Sequence, residues 1–218
     1  MANNRKPEIA DERTLHHKEG VSRIVDFSNG VIGFAITLLV INIRVPESRA
    51  KAGELPAELL ALWPQYIAYL ISFYIIGENW IIFNRIFSHI ERYDETLYWL
   101  VLLFLLFIAV LPFPTSLVSV YPDRKIAALL YAGTVTCVVF SRTMIWWYAT
   151  KNHRLVHESL NPCFIQGTLR NAILLLAGFI ISAVIAFFSP IEAIYLWVLL
   201  AIVALVVRLR LYRPPKNY

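Results

Sequence analysis

Charge and cysteine are both scarce in this 218-residue sequence. Only 16% of the residues are charged, whereas 58% are apolar and the mean hydropathy is +0.60. A soluble domain of this length could not cover so much apolar surface, so the composition predicts a membrane protein. The two cysteines are Cys137, within an apolar run, and Cys163, in a connecting loop. They have no metal-ligand spacing and imply no disulfide framework.

Recognisable catalytic motifs are also absent from the sequence. It contains no GxSxG, no HExxH and no glycine-rich phosphate loop, and no apolar run carries two acids or two histidines at helical spacing. The five histidines lie in the N-terminal segment and in predicted loops, where solvated side chains are the simplest interpretation. We therefore expect no enzymatic activity and no cofactor. The polar N-terminus also lacks the apolar core of a cleavable signal peptide.

Long apolar runs dominate what is present. A membrane-spanning helix needs about 20 predominantly apolar residues, and six runs approach or exceed that length. They lie near residues 24–43, 59–83, 97–120, 126–149, 169–188 and 191–207. Pro112 and Pro114 are expected to kink the third run, with the freed carbonyls met by neighbouring helices. The sequence thus predicts one all-α membrane domain of six spans over residues 1–218, without a separate soluble domain.

The basic residues predict the orientation of these spans. A net charge of +5 could indicate nucleic-acid binding, but the Lys and Arg residues cluster between apolar runs and at the chain ends, as membrane topology requires. We therefore expect no nucleic-acid partner. Most of these residues fall on the side of both termini, so residues 1–20 and 208–218 are predicted to be cytoplasmic tails. Arg142 and Trp146, one turn apart, are expected to anchor the fourth span at the headgroups.

The first apolar run is the most informative segment, because a polar cluster leads directly into it. The cluster comprises Arg23, Asp26, Ser28 and Asn29. Polar atoms at the mouth of a membrane helix are costly unless they are paired or face water. At 3.6 residues per turn, Phe34, Leu38 and Ile41 form one stripe, with Thr37 at its edge. Periodicity alone favours ordinary packing or lipid contact for this stripe, and the polar cluster is what favours a functional role.

Several motifs in the first 120 residues resemble the transmembrane protein 175 family. The pattern R-x-x-x-F-S-N-G-V over residues 23–31, followed by A-I-T-L-L-V, resembles the family signature. Further similar motifs are Gly77-x-x-Trp80, Arg92-x-Asp94 and the segment Leu103–Thr115. The family contains potassium channels of lysosomes and, in a shorter form, of bacteria. The resemblance implies a homotetramer whose first helices line a central pore, because the animal forms fuse two six-span repeats and dimerise.

The same resemblance implies roles for individual residues. By position, Phe34, Leu38 and Ile41 would form the pore constriction, and Thr37 would offer a hydroxyl near the ion path. Apolar rings of this kind gate by dewetting. Asn42, at the end of the stripe, would either hydrate an entering ion or cap the helix. A polar network behind the pore helix would comprise Arg23, Asp26, Ser28, Asn29 and Asn84.

Some positions depart from the family pattern. The family usually has aspartate at the position of Asn29, two histidines at the positions of Phe83 and Asn84, and isoleucine at the position of Phe34. Asp26, three residues after Arg23, could partly replace the missing carboxylate. A ring of phenyl groups at Phe34 should be bulkier than a ring of isoleucines and could narrow the pore.

The resulting functional hypothesis is passive permeation of potassium ions through a homotetramer. The membrane would be the plasma (inner) membrane of a bacterium, with lipid around the assembly and both termini in the cytoplasm. One alternative is a proton-coupled secondary transporter in which Glu78 or Asp26 exchanges protons. Glu78 is expected to pair with Arg85 or to face a water-filled vestibule. Another alternative is a non-conducting membrane scaffold that keeps the family fold.

Overall fold

The chain folds as a bundle of helices. A computed structural model describes the backbone of residues 5–44 and 55–211, and the side chains of residues 17–44 and 55–202. The helices are α1 (Arg5–Ile41), α2 (Leu55–Ala61), α3 (Trp63–Phe87), α4 (Glu95–Val110), α5 (Pro112–Val120), α6 (Lys125–Thr150), α7 (Pro162–Phe188) and α8 (Pro190–Leu211). A single isolated bridge, between Ile90 and Val156, is the only β-type pairing in those ranges. The predicted all-α class is confirmed.

Each of the six apolar runs coincides with helix. Segments long and apolar enough to cross a membrane are His17–Ile41, Trp63–Phe87, Glu95–Val120, Lys125–His153 and Pro162–Phe188. The apolar stretch Pro190–Ile202 of α8 is shorter, and α8 continues to Leu211 beyond the described side chains. A count of six crossings therefore stays a prediction. Helix α1 already begins at Arg5, within the predicted N-terminal tail, and most of the predicted tail 208–218 lies outside the described residues.

Proline divides the third span where the sequence predicts it. Helical structure is interrupted at Leu111, between the end of α4 and Pro112 at the start of α5. The Thr115 hydroxyl donates to the Leu111 carbonyl at 2.8 Å, and the side-chain amide of Asn42 donates to the Pro112 carbonyl at 3.0 Å. The residue that directly follows α1 thus supplies a hydrogen bond at the interruption.

The core lies where α1, α3, α4 and α6 meet. Phe83 of α3 and Phe104 of α4 are buried and stack with their ring centroids 5.3 Å apart. Ile32 and Leu39 of α1 are buried beside α3, α4 and α5. In contrast, only 17% of the apolar window of α7 is buried. Helix α7 therefore lies at the edge of the bundle, with one face free for lipid or for another copy of the chain.

The structure corrects the placement of Arg142 and Trp146. They are only 3% and 1% exposed, so neither side chain reaches headgroups. The Arg142 guanidinium donates to the Asn79 side-chain oxygen of α3 at 2.7 Å, and the Trp146 indole donates to the Ile165 carbonyl of α7 at 3.4 Å. Residues four apart share a helix face, and this face of α6 is turned towards the protein.

One end of the bundle is tied together by its connectors. After α3, the backbone N–H groups of Glu91 and Arg92 donate to the Leu155 carbonyl at 2.9 and 3.3 Å. Asp94 caps α4 through the Leu97 N–H, accepts from the Tyr148 hydroxyl at 2.6 Å and pairs with Arg154 at 3.2 Å. Asp94 belongs to the Arg92-x-Asp94 motif, and its contacts join the α3–α4 connector to the end of α6.

The same connector supports the N-terminal half of α1. The ring of Tyr93 lies so close to Gly20 that a Cβ there would overlap it. His17, about one turn earlier, meets the Tyr93 ring edge-on at a centroid distance of 5.3 Å. Only glycine permits this approach of the ring to the helix backbone. A larger residue at Gly20 would therefore require the Tyr93 ring to move.

Candidate functional site

The face of α1 that carries the predicted stripe is largely uncovered by the other described residues. Phe34 is 65% exposed and Ile41 is 70% exposed, while Leu38 is half-buried. The opposite face is buried and comprises Ile24, Ser28, Ile32, Ala35 and Leu39. Helix α1 thus has one face that holds it in the bundle and one apolar face that is available to lipid or to another copy of the chain.

Two glycines lie on or beside this exposed face. No atom of the described residues lies within 4 Å of the position that a Cβ would take at Gly30 or Gly33. Packing within one chain therefore does not require glycine at either position. Small residues on membrane helices allow neighbouring backbones to approach closely, so these positions are suited to contact between chains.

Thr37 and Asn42, the polar residues predicted to line the pore, lie in different environments. Thr37 is exposed, and its hydroxyl donates to the Phe34 carbonyl at 2.8 Å. Because the hydroxyl oxygen keeps its lone pairs, Thr37 can still coordinate a cation. Asn42 is half-buried, and its amide donates to Pro112 as described above. The sequence interpretation offered ion hydration or helix capping for Asn42, whereas the structure shows a contact with α5.

Asn29 joins α1 to α3. Its side-chain oxygen accepts from the Trp80 indole at 2.9 Å and from the Asn84 amide at 3.3 Å. The Asn84 amide also donates to the Trp80 carbonyl at 3.0 Å, which holds both partners on the same part of α3. Two members of the predicted network are therefore in contact. Trp80 is a third member that sequence reasoning missed, although the Gly77-x-x-Trp80 motif pointed to it.

The other predicted network members do not reach this contact. Ser28 is buried, and its hydroxyl donates within α1 to the Ile24 carbonyl at 2.7 Å. Arg23 and Asp26 are exposed, and the Asp26 carboxylate accepts from Ser22 at 3.4 Å. Within the described ranges, no ion pair or hydrogen bond joins Arg23 to Asp26 or to Asn29.

Helix geometry explains the position of Arg23. At about 100° per residue, Arg23 lies roughly 120° around α1 from Asn29. The same geometry brings Arg23 within about 20° of Phe34, so it continues the exposed stripe towards the N-terminus. This position directs Arg23 away from Asn29 and the α3 residues that contact Asn29.

The structure also contains buried polar contacts that the sequence did not predict. The Arg142–Asn79 hydrogen bond joins α6 to α3, one residue before Trp80. Ser72 lies 2.9 Å from the Thr115 hydroxyl and 3.0 Å from the Tyr131 hydroxyl, which links α3, α5 and α6. An arginine within an apolar run is the one sequence signal that could have found the first contact, because buried charges in membranes are paired.

Glu78 lies next to this buried contact. It is half-buried and, with Asn79, lines a cavity of about 50 Å³ between α3, α6, α7 and α8. An acid inside a span is costly unless it is paired or meets water. Glu78 is therefore the acid to test for proton exchange.

Known proteins are similar to this chain in sequence and in fold. The family model of the endosomal/lysosomal potassium channel TMEM175 matches residues 23–112, which contain the stripe of α1 and the Asn29 contact. A potassium channel of Streptomyces collinus is 33% identical over 171 residues, covering 77% of this chain and 82% of that protein. This chain belongs to the TMEM175 family. A potassium channel of Chamaesiphon minutus is 37% identical over 140 residues, which are 62% of this chain and 69% of that protein.

A solved structure of the TMEM175 family has the same fold. It is the crystal structure of a lysosomal potassium-selective channel TMEM175 homolog from Chamaesiphon minutus, with a TM-score of 0.76 and 28% sequence identity. The match covers 85% of this chain and 96% of that chain. The TMEM175 family is a family of ion channels, not of enzymes, and this chain is an integral membrane protein.

Proposed function

We propose that the chain is a potassium channel in which copies of α1 surround a central pore. The observation that carries the proposal is the uncovered apolar face of α1 with Phe34, Leu38 and Ile41, in a family whose relatives are named potassium channels. Potassium would be the permeant ion, and no cofactor is expected.

The proposed constriction acts by dewetting. Apolar rings from Phe34, Leu38 and Ile41 would exclude water when narrow and admit hydrated ions when wider. Thr37 lies between the first two rings, where its hydroxyl oxygen could replace part of the hydration shell of an ion. In a symmetric assembly, one residue contributes once per chain, so a single substitution changes the whole ring.

Asn29 would position the pore helix. Its contacts with Trp80 and Asn84 fix the rotation of α1 relative to α3. A rotation of about 100° would bring the neighbouring residue of α1 onto the pore axis, so correct rotation decides which side chains form the constriction. The Asn29 contact therefore supports the constriction without lining it.

A homotetramer in a bacterial plasma membrane is the assembly we expect. Gly30 and Gly33 would allow neighbouring α1 helices to approach closely. Both termini would lie in the cytoplasm, because Arg85, Arg92 and Arg154 lie on the side of the α1 N-terminus and cytoplasmic loops carry the excess of Lys and Arg.

Flux measurements on the purified full chain in liposomes test the proposal. We expect potassium flux that follows the potassium gradient and persists when no proton gradient is present. A proton-coupled transporter would instead require opposing proton movement, and Glu78→Gln would abolish that coupling. The complete absence of potassium flux would favour a scaffold. Cysteine at Ile41 adds a structural test, because cross-links between chains are expected if this face of α1 lines a shared axis.

A further inference from the structure

An apolar groove lies between α3 and α8. It begins as a cavity of about 360 Å³ near the start of α3, with Trp63 and Tyr195 exposed at its rim. An adjoining cavity of about 280 Å³ shares the lining residues Ile67, Ile71 and Val198 and continues along both helices to Tyr74. We refer to the two cavities together as the α3–α8 furrow.

Two polar groups on the wall of the furrow, the Tyr131 hydroxyl and the Trp197 indole, have hydrogen-bond partners. The Tyr131 hydroxyl lies 3.0 Å from the Ser72 hydroxyl, and the Trp197 indole donates to the Ser182 hydroxyl at 3.0 Å. The other lining side chains are almost all apolar. An apolar ligand in the furrow would therefore leave the hydrogen bonds of Tyr131 and Trp197 intact.

The length of the furrow matches one leaflet of a bilayer. Along α3 it extends from Trp63 to Tyr74, which is about 16 Å at a rise of 1.5 Å per residue. Half of a hydrocarbon core of roughly 30 Å is about 15 Å. Trp63 and Tyr195 at the rim are the residue types that lie at the level of lipid headgroups. The furrow thus has the dimensions and the orientation of a single acyl chain.

Positive charge lies at the same end of the bundle. Pro122 lines the furrow, and the chain continues from it to Arg124 and Lys125 at the start of α6. The Arg124 side chain is largely exposed, and its contact with Asp123 is long at 3.8 Å, so its guanidinium is accessible to a phosphate. Lys125 lies 5.3 Å from the centroid of the Phe187 ring.

We propose that the α3–α8 furrow binds one acyl chain of a phospholipid whose phosphate contacts Arg124 and Lys125. The proposal does not depend on ion permeation. It predicts a lipid that remains bound through purification, since both the apolar chain and the headgroup have complementary surfaces.

Lipid counting on the purified full chain tests this proposal. After exchange into a delipidating detergent, native mass spectrometry should find about one retained phospholipid per chain. Ala68→Phe places a ring inside the furrow and should lower retention at least ~10-fold, because each excluded methylene weakens binding about fourfold. The control is Ile173→Phe, which places the same phenyl ring at an exposed position of α7 outside the furrow and should retain the lipid.

The headgroup contact needs its own variants. Arg124→Gln and Lys125→Gln should each reduce retention roughly fivefold, as expected for a cation near a phosphate surface. Brominated acyl chains should also quench tryptophan fluorescence, and Trp63→Phe should remove part of that quenching. If Ala68→Phe does not fold by gel filtration, Ile194→Phe fills the same cavity from α8.

Three outcomes would overturn the proposal. One is equal lipid retention in the wild type, Ala68→Phe and Ile173→Phe. Another is a wild-type protein that keeps no phospholipid after the detergent exchange, although its melting temperature is the same as before the exchange. The third is efficient disulfide cross-linking between chains through Ala68→Cys, which would mean that a second copy of the chain occupies the furrow. Retention that falls only in the furrow and cation variants supports the proposal.

Discussion

At the scale of single residues, Asn29 is the acceptor on which the position of α1 depends. Its side-chain oxygen receives N–H groups from both Trp80 and Asn84. A neutral amide, not a carboxylate, performs this role in this chain. Each such hydrogen bond contributes about 0.5–1.5 kcal/mol, so the contact orients the helix without fixing it irreversibly.

Trp80→Phe tests the Asn29 contact. The substitution keeps an aromatic ring and removes the indole N–H. We therefore expect the free energy of unfolding to fall by about 1 kcal/mol per chain, and the open probability in single-channel recordings to change. Trp99→Phe is the matched control, since Trp99 is an exposed tryptophan of α4 outside the Asn29 contact. Equal open probabilities in the two variants would contradict a positioning role for Trp80.

Phe34→Ala tests the constriction. Removal of the phenyl groups should widen the apolar ring and raise potassium flux, by ~10-fold if the barrier falls by ~1.4 kcal/mol. Phe113→Ala removes an equally exposed phenyl group from α5 and should leave the flux unchanged. Unchanged flux in the Phe34 variant, with normal assembly on gel filtration, would exclude Phe34 from the constriction.

At the scale of elements, the apolar runs and the prolines predicted the helices well. Each of the six runs coincides with helix, and the interruption at Leu111 lies beside Pro112. The burial of Arg142 and Trp146 was not predictable from the same pattern. In a membrane helix nearly every face is apolar, so periodicity does not tell which face is packed against protein. The bias of Lys and Arg towards one side then favoured a headgroup position for Arg142 that the fold does not use.

The candidate site, too, was predicted only in part from the sequence. That Phe34, Leu38 and Ile41 share one face follows from helical periodicity, whereas the exposure of this face is known only from the structure. The network behind it does not follow from periodicity, because its partners come from α3, about 50 residues later in the sequence. Arg23 was assigned to that network through its place in the motif, although its position around the helix directs it elsewhere.

A double-mutant cycle tests the buried contact between α3 and α6. Asn79→Leu removes an acceptor from the Arg142 guanidinium and should destabilise the chain by about 1.5–3 kcal/mol, the range for hydrogen bonds to charged groups. Adding Arg142→Met should recover part of that loss, because the buried charge is then removed as well. Thermal unfolding in detergent measures the stability of each single variant and of the double variant. Strictly additive effects would show that the two side chains do not interact energetically.

At the scale of the whole molecule, the uncovered stripe of α1 would become a set of rings in the proposed assembly. In the proposed assembly Arg23 would form a positively charged ring at one mouth of the pore, because it lies on the same face as Phe34. Asp26 would offset part of this charge one turn further along. A cationic ring repels potassium ions, so it should limit flux most strongly when the ionic strength is low.

Arg23→Gln tests this arrangement. We expect higher potassium flux than in the wild type at about 0.01 M ionic strength, where the screening length is about 30 Å, and little difference at about 1 M, where it is about 3 Å. Arg85→Gln is the control, because Arg85 is an exposed arginine of α3 on the same side of the bundle. A difference that is independent of salt concentration would place Arg23 away from the ion path.

Helix α1 and the residue that follows it contact the rest of their own chain at three positions along the helix. The ring of Tyr93 is seated against Gly20, Trp80 and Asn84 hold Asn29, and the Pro112 carbonyl holds Asn42. Rotation of the whole of α1 about its axis would have to break these three contacts together. The stretch from Gly30 to Ile41 lies between two of them, and two of its first four residues, Gly30 and Gly33, lack a Cβ. Dilation of the channel should therefore arise from bowing of this stretch, and spin labels at Thr37, near its middle, should separate on opening while labels near Gly20 keep their spacing.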